Sequence, residues 1–142
     1  MPRGRRRPQR RVVARGPSPL VSACEALERR FALAVTWSAG TWGITGDADP
    51  ANLDDTILVR RNPDDSRQLQ AVVNGTVVGS RLAATVQVIS VFGGAGDDSI
   101  TIDIPTNQRI RVILHGGAGD DTIVSDAGHD VIYGGRGDDT IA

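Results

Sequence analysis

The segment that decides the fold is Gly116–Val124, which reads GGAGDDTIV. Three further segments align with it: Gly93–Thr101 (GGAGDDSIT), Gly134–Ala142 (GGRGDDTIA) and the degenerate Ser125–Tyr133 (SDAGHDVIY). All but the last fit the nine-residue pattern G-G-x-G-x-D-x-U-x, in which U is a large aliphatic residue. Each unit therefore predicts a glycine-rich bend followed by a short strand with one apolar side chain facing the core. These apolar side chains are Ile100, Ile123, Ile132 and Ile141.

The residue types in the bends are those that a calcium ion requires. Glycine permits positive φ angles, so the backbone can turn its carbonyl oxygens inward toward an ion. Aspartate at position six adds a short carboxylate, and Ca²⁺ prefers hard oxygen ligands of this kind. The candidate ligands are the carboxylates of Asp98, Asp121 and Asp139 and the backbones of Gly94, Gly96, Gly117, Gly119, Gly135 and Gly137.

The spacing of the bends predicts how they stack. Gly116 and Gly134 are eighteen residues apart, the length of one β-roll turn made of two nonapeptides. Gly93 and Gly116 are 23 residues apart, because the intervening chain contains a second strand, Ile110–Leu114, and a turn at 105–108. We therefore expect the three regular bends to form one column, with the degenerate bend on the opposite side.

The predicted column places each ion between two neighbouring bends. One ion would lie between Asp98 and Asp121 and a second between Asp121 and Asp139, giving about two ions per chain. Whether the loop from Ser125 to Asp130 binds an ion stays open, because Ser125 and Asp126 replace its glycine pair. Stacked carboxylates repel one another without an ion, so calcium binding is expected to supply folding free energy. The alternative, that these clusters are simple surface turns, is disfavoured by three copies in register.

Composition divides the chain into a basic start and an acidic body. Residues 1–30 hold nine Arg and two Glu, whereas residues 31–142 hold seven Arg and fifteen Asp, without Glu. The Arg- and Pro-rich segment 1–31 predicts a disordered leader, with a short helical pattern near its end. Residues 32–92 predict a β-rich cap, and residues 93–142 predict the calcium-binding β-roll. The expected fold class is all-β: a parallel β-roll (β-solenoid) with a strand-rich N-terminal cap and a disordered basic tail.

Alternating apolar residues and turn signals predict hairpins within the cap. The dipeptide Asn74-Gly75 between two apolar runs is a strong signal for a two-residue hairpin turn. A second hairpin is expected around Ser38-Ala39-Gly40. The predicted strands are Ala34–Trp37, Thr41–Thr45, Thr56–Arg60, Gln68–Val73, Thr76–Val78 and Val86–Phe92.

The repeats resemble those of the RTX, or hemolysin-type, calcium-binding family over Gly93–Ala142. The resemblance implies secretion, a parallel β-roll, and position-six aspartates as side-chain ligands with loop carbonyls completing each site. Leu53–Ile57 (LDDTI) resembles the repeat core without its glycines, and we interpret it as a capping rung that has lost its ion. Leu27–Ala34 is similar to the L-E-P-R-x-L-L-A leader motif of planctomycete-type secreted proteins, with Arg29 replacing Pro and Ala32 replacing Leu.

Two functional hypotheses follow from the pattern. The chain is either a secreted or surface structural module gated by calcium, or a truncated or accessory part of a larger RTX protein whose catalytic region lies elsewhere. Ala142 closes a repeat, so we expect a protein partner or a continuing chain at this uncapped end. Extracellular modules bind calcium with Kd values of roughly 10⁻⁴ to 10⁻³ M, which favours an extracellular or cell-surface location.

Other sequence signals favour different functions less well. The Arg-rich start could neutralise phosphates, but no aromatic or fold-level reader accompanies it, so nucleic-acid binding is not expected. Leu20–Cys24 resembles a lipobox whose hydrophobic region is interrupted, so acylation of Cys24 stays open. His115 and His129 are too separated to predict a zinc site. No catalytic motif is found, so the chain is not expected to be an enzyme, and no segment predicts a membrane span.

Overall fold

A computed structural model describes residues 35–46, 53–105, 109–125 and 128–142. The regular elements of these residues are eleven β-strands and a single 3-10 turn at Ala83–Thr85. The all-β prediction is therefore confirmed for this part of the chain. The predicted leader at 1–31, with Cys24 and the Leu27–Ala34 motif, lies outside the described residues. The strands are β1 (Val35–Ser38), β2 (Thr41–Thr45), β3 (Thr56–Arg61), β4 (Gln68–Val73), β5 (Thr76–Leu82), β6 (Val88–Ala95), β7 (Ser99–Asp103), β8 (Arg111–Ala118), β9 (Thr122–Ser125), β10 (Asp130–Arg136) and β11 (Thr140–Ile141).

The strands form two mixed sheets. The first sheet has the order β1-β2-β6-β8-β10, and the second has the order β11-β9-β7-β3-β4-β5. Strands β2, β6, β8 and β10 run parallel, as do β3, β7, β9 and β11. Within the described residues, antiparallel pairing occurs only at one side, where β1 pairs with β2 and the hairpin β4–β5 pairs with β3. Among the described residues no helix is long and apolar enough to cross a membrane.

From β6 onward the chain alternates between the two sheets, so that successive strands of each sheet are equivalent in register. Ile57 pairs with Ile100, which pairs with Ile123 and, through it, with Ile141. Alternate side chains of both sheets point into one shared core, as the period of a strand requires. The core side chains are Trp42, Ile44, Ile57, Val59, Leu69, Ala71, Val73, Ala83, Val86, Ile89, Val91, Ile100, Ile102, Ile104, Ile110, Val112, Leu114 and Ile123.

Burial decreases toward the C-terminal strands. Ile100 and Ile123 are fully buried, and Ile132 is partly buried against the core. The side chain of Ile141 is 51% exposed, as is expected of an apolar residue at an uncapped end. It lies in register with Ile123, yet no strand of the described chain packs beyond β11 to cover it.

Most predicted strands are confirmed, with changes at their ends. The run Gln68–Val73 matches β4, and the Asn74-Gly75 hairpin turn joins it to β5. Strand β5 is longer than predicted, because its pairing with β4 continues past a bulge to Leu82. Strands β6 and β8 extend into the glycine bends, where Gly94 and Gly117 still pair in parallel.

A turn without the glycine-rich signature precedes the repeats. Strand β2 pairs in parallel with β6, so that Thr45 aligns with Phe92, and β3 pairs in parallel with β7. These two strands therefore follow the same path as each later turn of the coil. We call β2, Gly46, residues 53–55 and β3 the first turn, and β10, the bend at 134–139 and β11 the last turn.

Candidate metal centre

The three regular bends, 93–98, 116–121 and 134–139, stack in one column, as the spacing predicts. Gly94 pairs with Gly117, and Gly117 pairs with Gly135. The aspartates that hydrogen-bond between neighbouring bends are 23 and 18 residues apart in sequence, which are the predicted intervals. We call this stack the bend column. It brings the predicted position-six aspartates together at one end of the two sheets.

The position-six aspartates form a buried ladder. The N–H of Asp98 donates to Oδ1 of Asp121 at 2.9 Å, and the N–H of Asp121 donates to Oδ1 of Asp139 at 3.1 Å. Each carboxylate therefore reaches back to the preceding bend. Asp98 and Asp121 are 2% and 1% exposed, which is a rare degree of burial for a carboxylate.

The position-five aspartates form a second, exposed ladder that the sequence reasoning missed. The N–H of Asp120 donates to Oδ1 of Asp97 at 2.9 Å, and the N–H of Asp138 donates to Oδ1 of Asp120 at 2.8 Å. These carboxylates reach forward to the following bend, opposite to the buried ladder. The repeated Asp-Asp dipeptide was the sequence signal for this second ladder. In each pair, one carboxylate bonds to the preceding bend and the other to the following bend.

The second carboxylate oxygen of Asp121 indicates where a cation could bind in the bend column. Oδ2 of Asp121 is buried and has no hydrogen-bond partner within the described part of the chain. A Cβ added to Gly116 would clash with Oδ2 of Asp121. The same Cβ would lie 2.6 Å from the carbonyl oxygen of Gly134. Two oxygen acceptors thus converge on one glycine, and a cation is the partner that suits both.

Glycines of the bends play two different structural roles. The predicted ligand glycines at positions two and four all have positive φ, between 105° and 134°. Their carbonyl oxygens approach the equivalent glycine of the next bend, as Gly94 approaches Gly117. The carbonyls beside the buried carboxylates belong instead to position-one glycines, Gly116 and Gly134, which sequence reasoning did not select.

The electrostatics of Asp121 favour a bound cation. Burial raises the pKa of the Asp121 carboxyl above its ordinary value of 3.8, and the nearby charges of Asp139, Asp97 and Asp120 raise it further. The hydrogen bond from the Asp98 amide opposes this shift by favouring the charged form. Without a cation the carboxylate is therefore held in an unfavourable ionised state, which a positive ion would relieve.

The bend column continues into the first turn, at the segment Leu53–Ile57. The N–H of Asp55 donates to Oδ1 of Asp98 at 2.8 Å, and the N–H of Asp97 donates to Oδ1 of Asp54 at 3.0 Å. A Cβ added to Gly46 would lie 2.5 Å from the Gly93 carbonyl oxygen and 2.7 Å from Oδ2 of Asp55. Gly46 therefore occupies the place of a position-one glycine. The sequence pattern did not indicate this, because Gly46 is farther from Asp55 than position one is from position six in the repeats.

The degenerate bend on the opposite side is organised differently. Oγ of Ser125 donates to Oδ2 of Asp130 at 2.5 Å, so the serine closes its own bend with a side-chain hydrogen bond. Asp126 lies outside the described residues. Across the described ranges, no three His, Cys, Asp or Glu side chains cluster so as to hold a metal by themselves.

Comparison with known proteins identifies the repeat. Residues 90–101 and 113–141 match the RTX calcium-binding nonapeptide repeat in four copies. This repeat is generally structural rather than catalytic, and proteins that carry it are typically secreted. Neither the curated proteins nor the solved structures yielded a match.

Proposed function

We propose that this chain is a structural β-roll module whose folding is gated by Ca²⁺, because residues 90–101 and 113–141 match the RTX calcium-binding nonapeptide repeat. The observation that carries the proposal is Oδ2 of Asp121, a buried carboxylate oxygen without a hydrogen-bond partner among the described residues. An unsatisfied buried acceptor opposes folding, and a cation beside it reverses that effect.

The proposed ions lie within the bend column. One would be held between Asp98 and Asp121 and the other between Asp121 and Asp139, giving about two ions per chain. Two carboxylates cannot fill the six to eight oxygen positions around Ca²⁺, so bend carbonyls must supply the remainder. The sequence selects the carbonyls of Gly94, Gly96, Gly117, Gly119, Gly135 and Gly137 for this role, and the carbonyls of Gly116 and Gly134, which lie beside the buried carboxylates, are added to them.

The dependence of folding on calcium follows from the distribution of apolar burial. Every fully buried apolar side chain of the described residues lies at or before Ile123, whereas Ile141 of the last turn is half exposed. The last turn thus gains little from the hydrophobic effect, which supplies about 25 cal/mol per Å² of buried apolar surface. We infer that ion binding supplies the folding free energy that the apolar core does not provide in the last turn.

The remaining parts of the proposal concern the module's setting. We place the chain outside the cell or at its surface, where calcium reaches the concentrations that such modules require. The proposed division is a leader at 1–31, a cap at 32–92 and a β-roll at 93–142, without a catalytic role. The exposed apolar side chain of Ile141 favours a second candidate function, in which the chain is an accessory part of a larger RTX protein.

A calcium titration of the full chain tests the proposal. We expect β-structure measured by circular dichroism to increase with calcium, and calorimetry to report about two ions per chain. Magnesium at the same concentrations should give a much weaker response, because Mg²⁺ requires near-octahedral geometry and dehydrates reluctantly. An equally ordered chain in excess chelator that retains no metal would contradict the proposal.

A further inference from the structure

The buried aspartate ladder repeats the same two hydrogen bonds from turn to turn. This repetition defines which donor and which acceptor are needed at its N-terminal end. Each position-six carboxylate accepts the N–H of the position-six residue one turn earlier, as Asp121 does from Asp98. The next N–H along the chain donates to the carbonyl of that same earlier residue, as Thr122 does to Asp98 at 2.8 Å and Thr140 does to Asp121 at 2.7 Å. Each bend therefore takes one donor and one acceptor from the backbone of the preceding turn.

In the first turn, a side chain from the hairpin fulfils both requirements. Asp55 supplies its own backbone to the following bend, because its N–H donates to Asp98 and its carbonyl accepts the N–H of Ser99 at 2.8 Å. For Asp55 and Thr56 themselves, the partner is Asn74. Nδ2 of Asn74 donates to Oδ1 of Asp55 at 2.5 Å, and Oδ1 of Asn74 accepts the N–H of Thr56 at 2.9 Å.

The carboxamide of Asn74 thus reproduces the hydrogen bonds of an earlier turn. A primary amide carries a donor and an acceptor in one plane, which matches the donor and acceptor that a preceding position-six residue provides. The hairpin β4–β5 pairs with β3 on the side where an earlier parallel strand would otherwise lie. One side chain therefore ends the ladder without a further repeat.

The hairpin turn and the ladder place independent demands on residue 74. Asn74 and Gly75 have φ angles of 51° and 75°, so the turn favours Asn, Asp or Gly at residue 74. The backbone N–H of Asn74 also donates to the carbonyl of Thr56 at 2.9 Å, which fixes the turn against β3. Of the three residues that the turn favours, only Asn has both a side-chain donor and a side-chain acceptor.

We propose that Asn74 is a positioning residue that ends the aspartate ladder in place of a preceding calcium-bound turn. The proposal rests on the proposed calcium-gated function, and it adds the order in which the bends assemble. The carboxamide and the apolar core hold the first turn without calcium. The calcium-dependent bends then assemble on this turn, from Asp98 toward Asp139.

Substitutions at the two turn residues separate the ladder from the hairpin. Asn74→Gly preserves the positive φ and removes the carboxamide, whereas Asn74→Asp preserves its shape and replaces the donor by a carboxylate facing Asp55. Gly75→Asn is the matched control, since Asn tolerates a positive φ, the added Cβ meets nothing within 4 Å and Asn74 is kept. In calcium titrations of the full chain, both Asn74 variants should need about tenfold more calcium for half-maximal ordering. The control should stay within about twofold of wild type.

Hydrogen exchange in chelator gives a readout that does not depend on calcium binding. The amide proton of Thr56 should be protected in the wild type and in Gly75→Asn, and should lose protection in both Asn74 variants. Equal effects of Gly75→Asn and Asn74→Gly would overturn the proposal, because Asn74 would then serve the turn alone. An unprotected Thr56 amide in the wild type would also overturn it. A wild type that ignores calcium would contradict the calcium-gated function, while the exchange result would still decide the role of Asn74.

Discussion

The first and last turns follow the same backbone path but are stabilised differently. In the first turn, Trp42, Ile44, Ile57 and Val59 are all fully buried. In the last turn, Ile132 is partly buried and Ile141 is 51% exposed. The register of the parallel strands is nevertheless continuous from one turn to the other. The same backbone path can therefore be stabilised by an apolar core at one end and by glycine and aspartate contacts at the other.

The polar contacts of the last turn cannot replace a core by themselves. A hydrogen bond contributes a net stabilisation of only about 0.5–1.5 kcal/mol, because the unfolded chain bonds to water instead. The last turn also brings Asp138 and Asp139 beside Asp120 and Asp121. Their mutual repulsion opposes folding until a cation compensates it. The comparison therefore predicts that changes near the proposed ion sites affect the last turn far more than the first.

The largest expected effect is that of Gly117→Ala. Gly117 has a φ of 133°, and a Cβ added there would overlap the carbonyl oxygen of Gly94 in the neighbouring bend. Because both groups belong to the backbone, the bends must separate, which places this change among the rare substitutions that cost more than about 4 kcal/mol. Circular dichroism should show no calcium-induced ordering at concentrations that saturate the wild type.

Gly75→Ala is the control for the first-turn region. Its φ of 75° also disfavours a side chain, but no atom lies within 4 Å of the added Cβ. The cost should be the conformational penalty alone, about 1–2 kcal/mol, with calcium-induced ordering retained. If the two variants lost similar free energy of unfolding in saturating calcium, close stacking of the bends would not be the reason that glycine is needed at 117.

The contrast between the two turns also explains what could be predicted from sequence. The glycine and aspartate pattern is local and periodic, so it predicted the bends, their column and the aspartates within it. Gly46 and Asn74 were missed as column residues because their partners are set by the fold. Asn74 lies 18 residues from Thr56, and nothing in its own hairpin signal indicates that its side chain is needed elsewhere. The uncapped end predicted an exposed apolar residue, but the extent to which Ile141 is exposed depends on what packs outside the strand.

The second prediction concerns Asp121→Asn. This variant keeps the shape of the side chain but removes the charge that both proposed ions share. Calorimetry should therefore detect neither ion at calcium concentrations that saturate the wild type. Asp139→Asn, at the edge of the column, should remove one ion, and Asp120→Asn, in the exposed ladder, should remove none. Equal stoichiometry in all three variants would contradict the stacked arrangement of ions.

The same substitution should have the opposite effect in chelator, with a defined dependence on pH. The pKa of Asp121 is raised above 3.8 in the folded chain, chiefly by burial, so its contribution favours folding at low pH and is lost as the pH rises through the raised value. The metal-free wild type should thus become less stable than metal-free Asp121→Asn as the pH increases above about 4. Circular dichroism of both proteins in chelator across this pH range measures the difference as residual β-structure.

The smallest expected effect concerns the outer face of the first sheet. His115 stacks between Phe92 and Tyr133, with ring centroids 4.6 and 4.7 Å apart and interplanar angles of 1° and 12°. Thr45 occupies the corresponding position in the first turn, so this ladder of rings runs only along the repeat strands. It therefore joins the weakly buried last turn to the better packed strands before it, independently of any ion.

Replacing His115 by Ala should remove two ring contacts, each contributing about 0.5–1.5 kcal/mol. The calcium-loaded protein should accordingly lose about 1–3 kcal/mol of unfolding free energy in urea titrations, with unchanged calcium stoichiometry. His129→Ala, in the exposed opposite bend, is the matched control, and His115→Phe should restore most of the loss because it preserves the stack. If His115→Phe were as destabilised as His115→Ala, ring stacking would not be the interaction that strengthens the last turn. Its stability would then depend on the bend column alone.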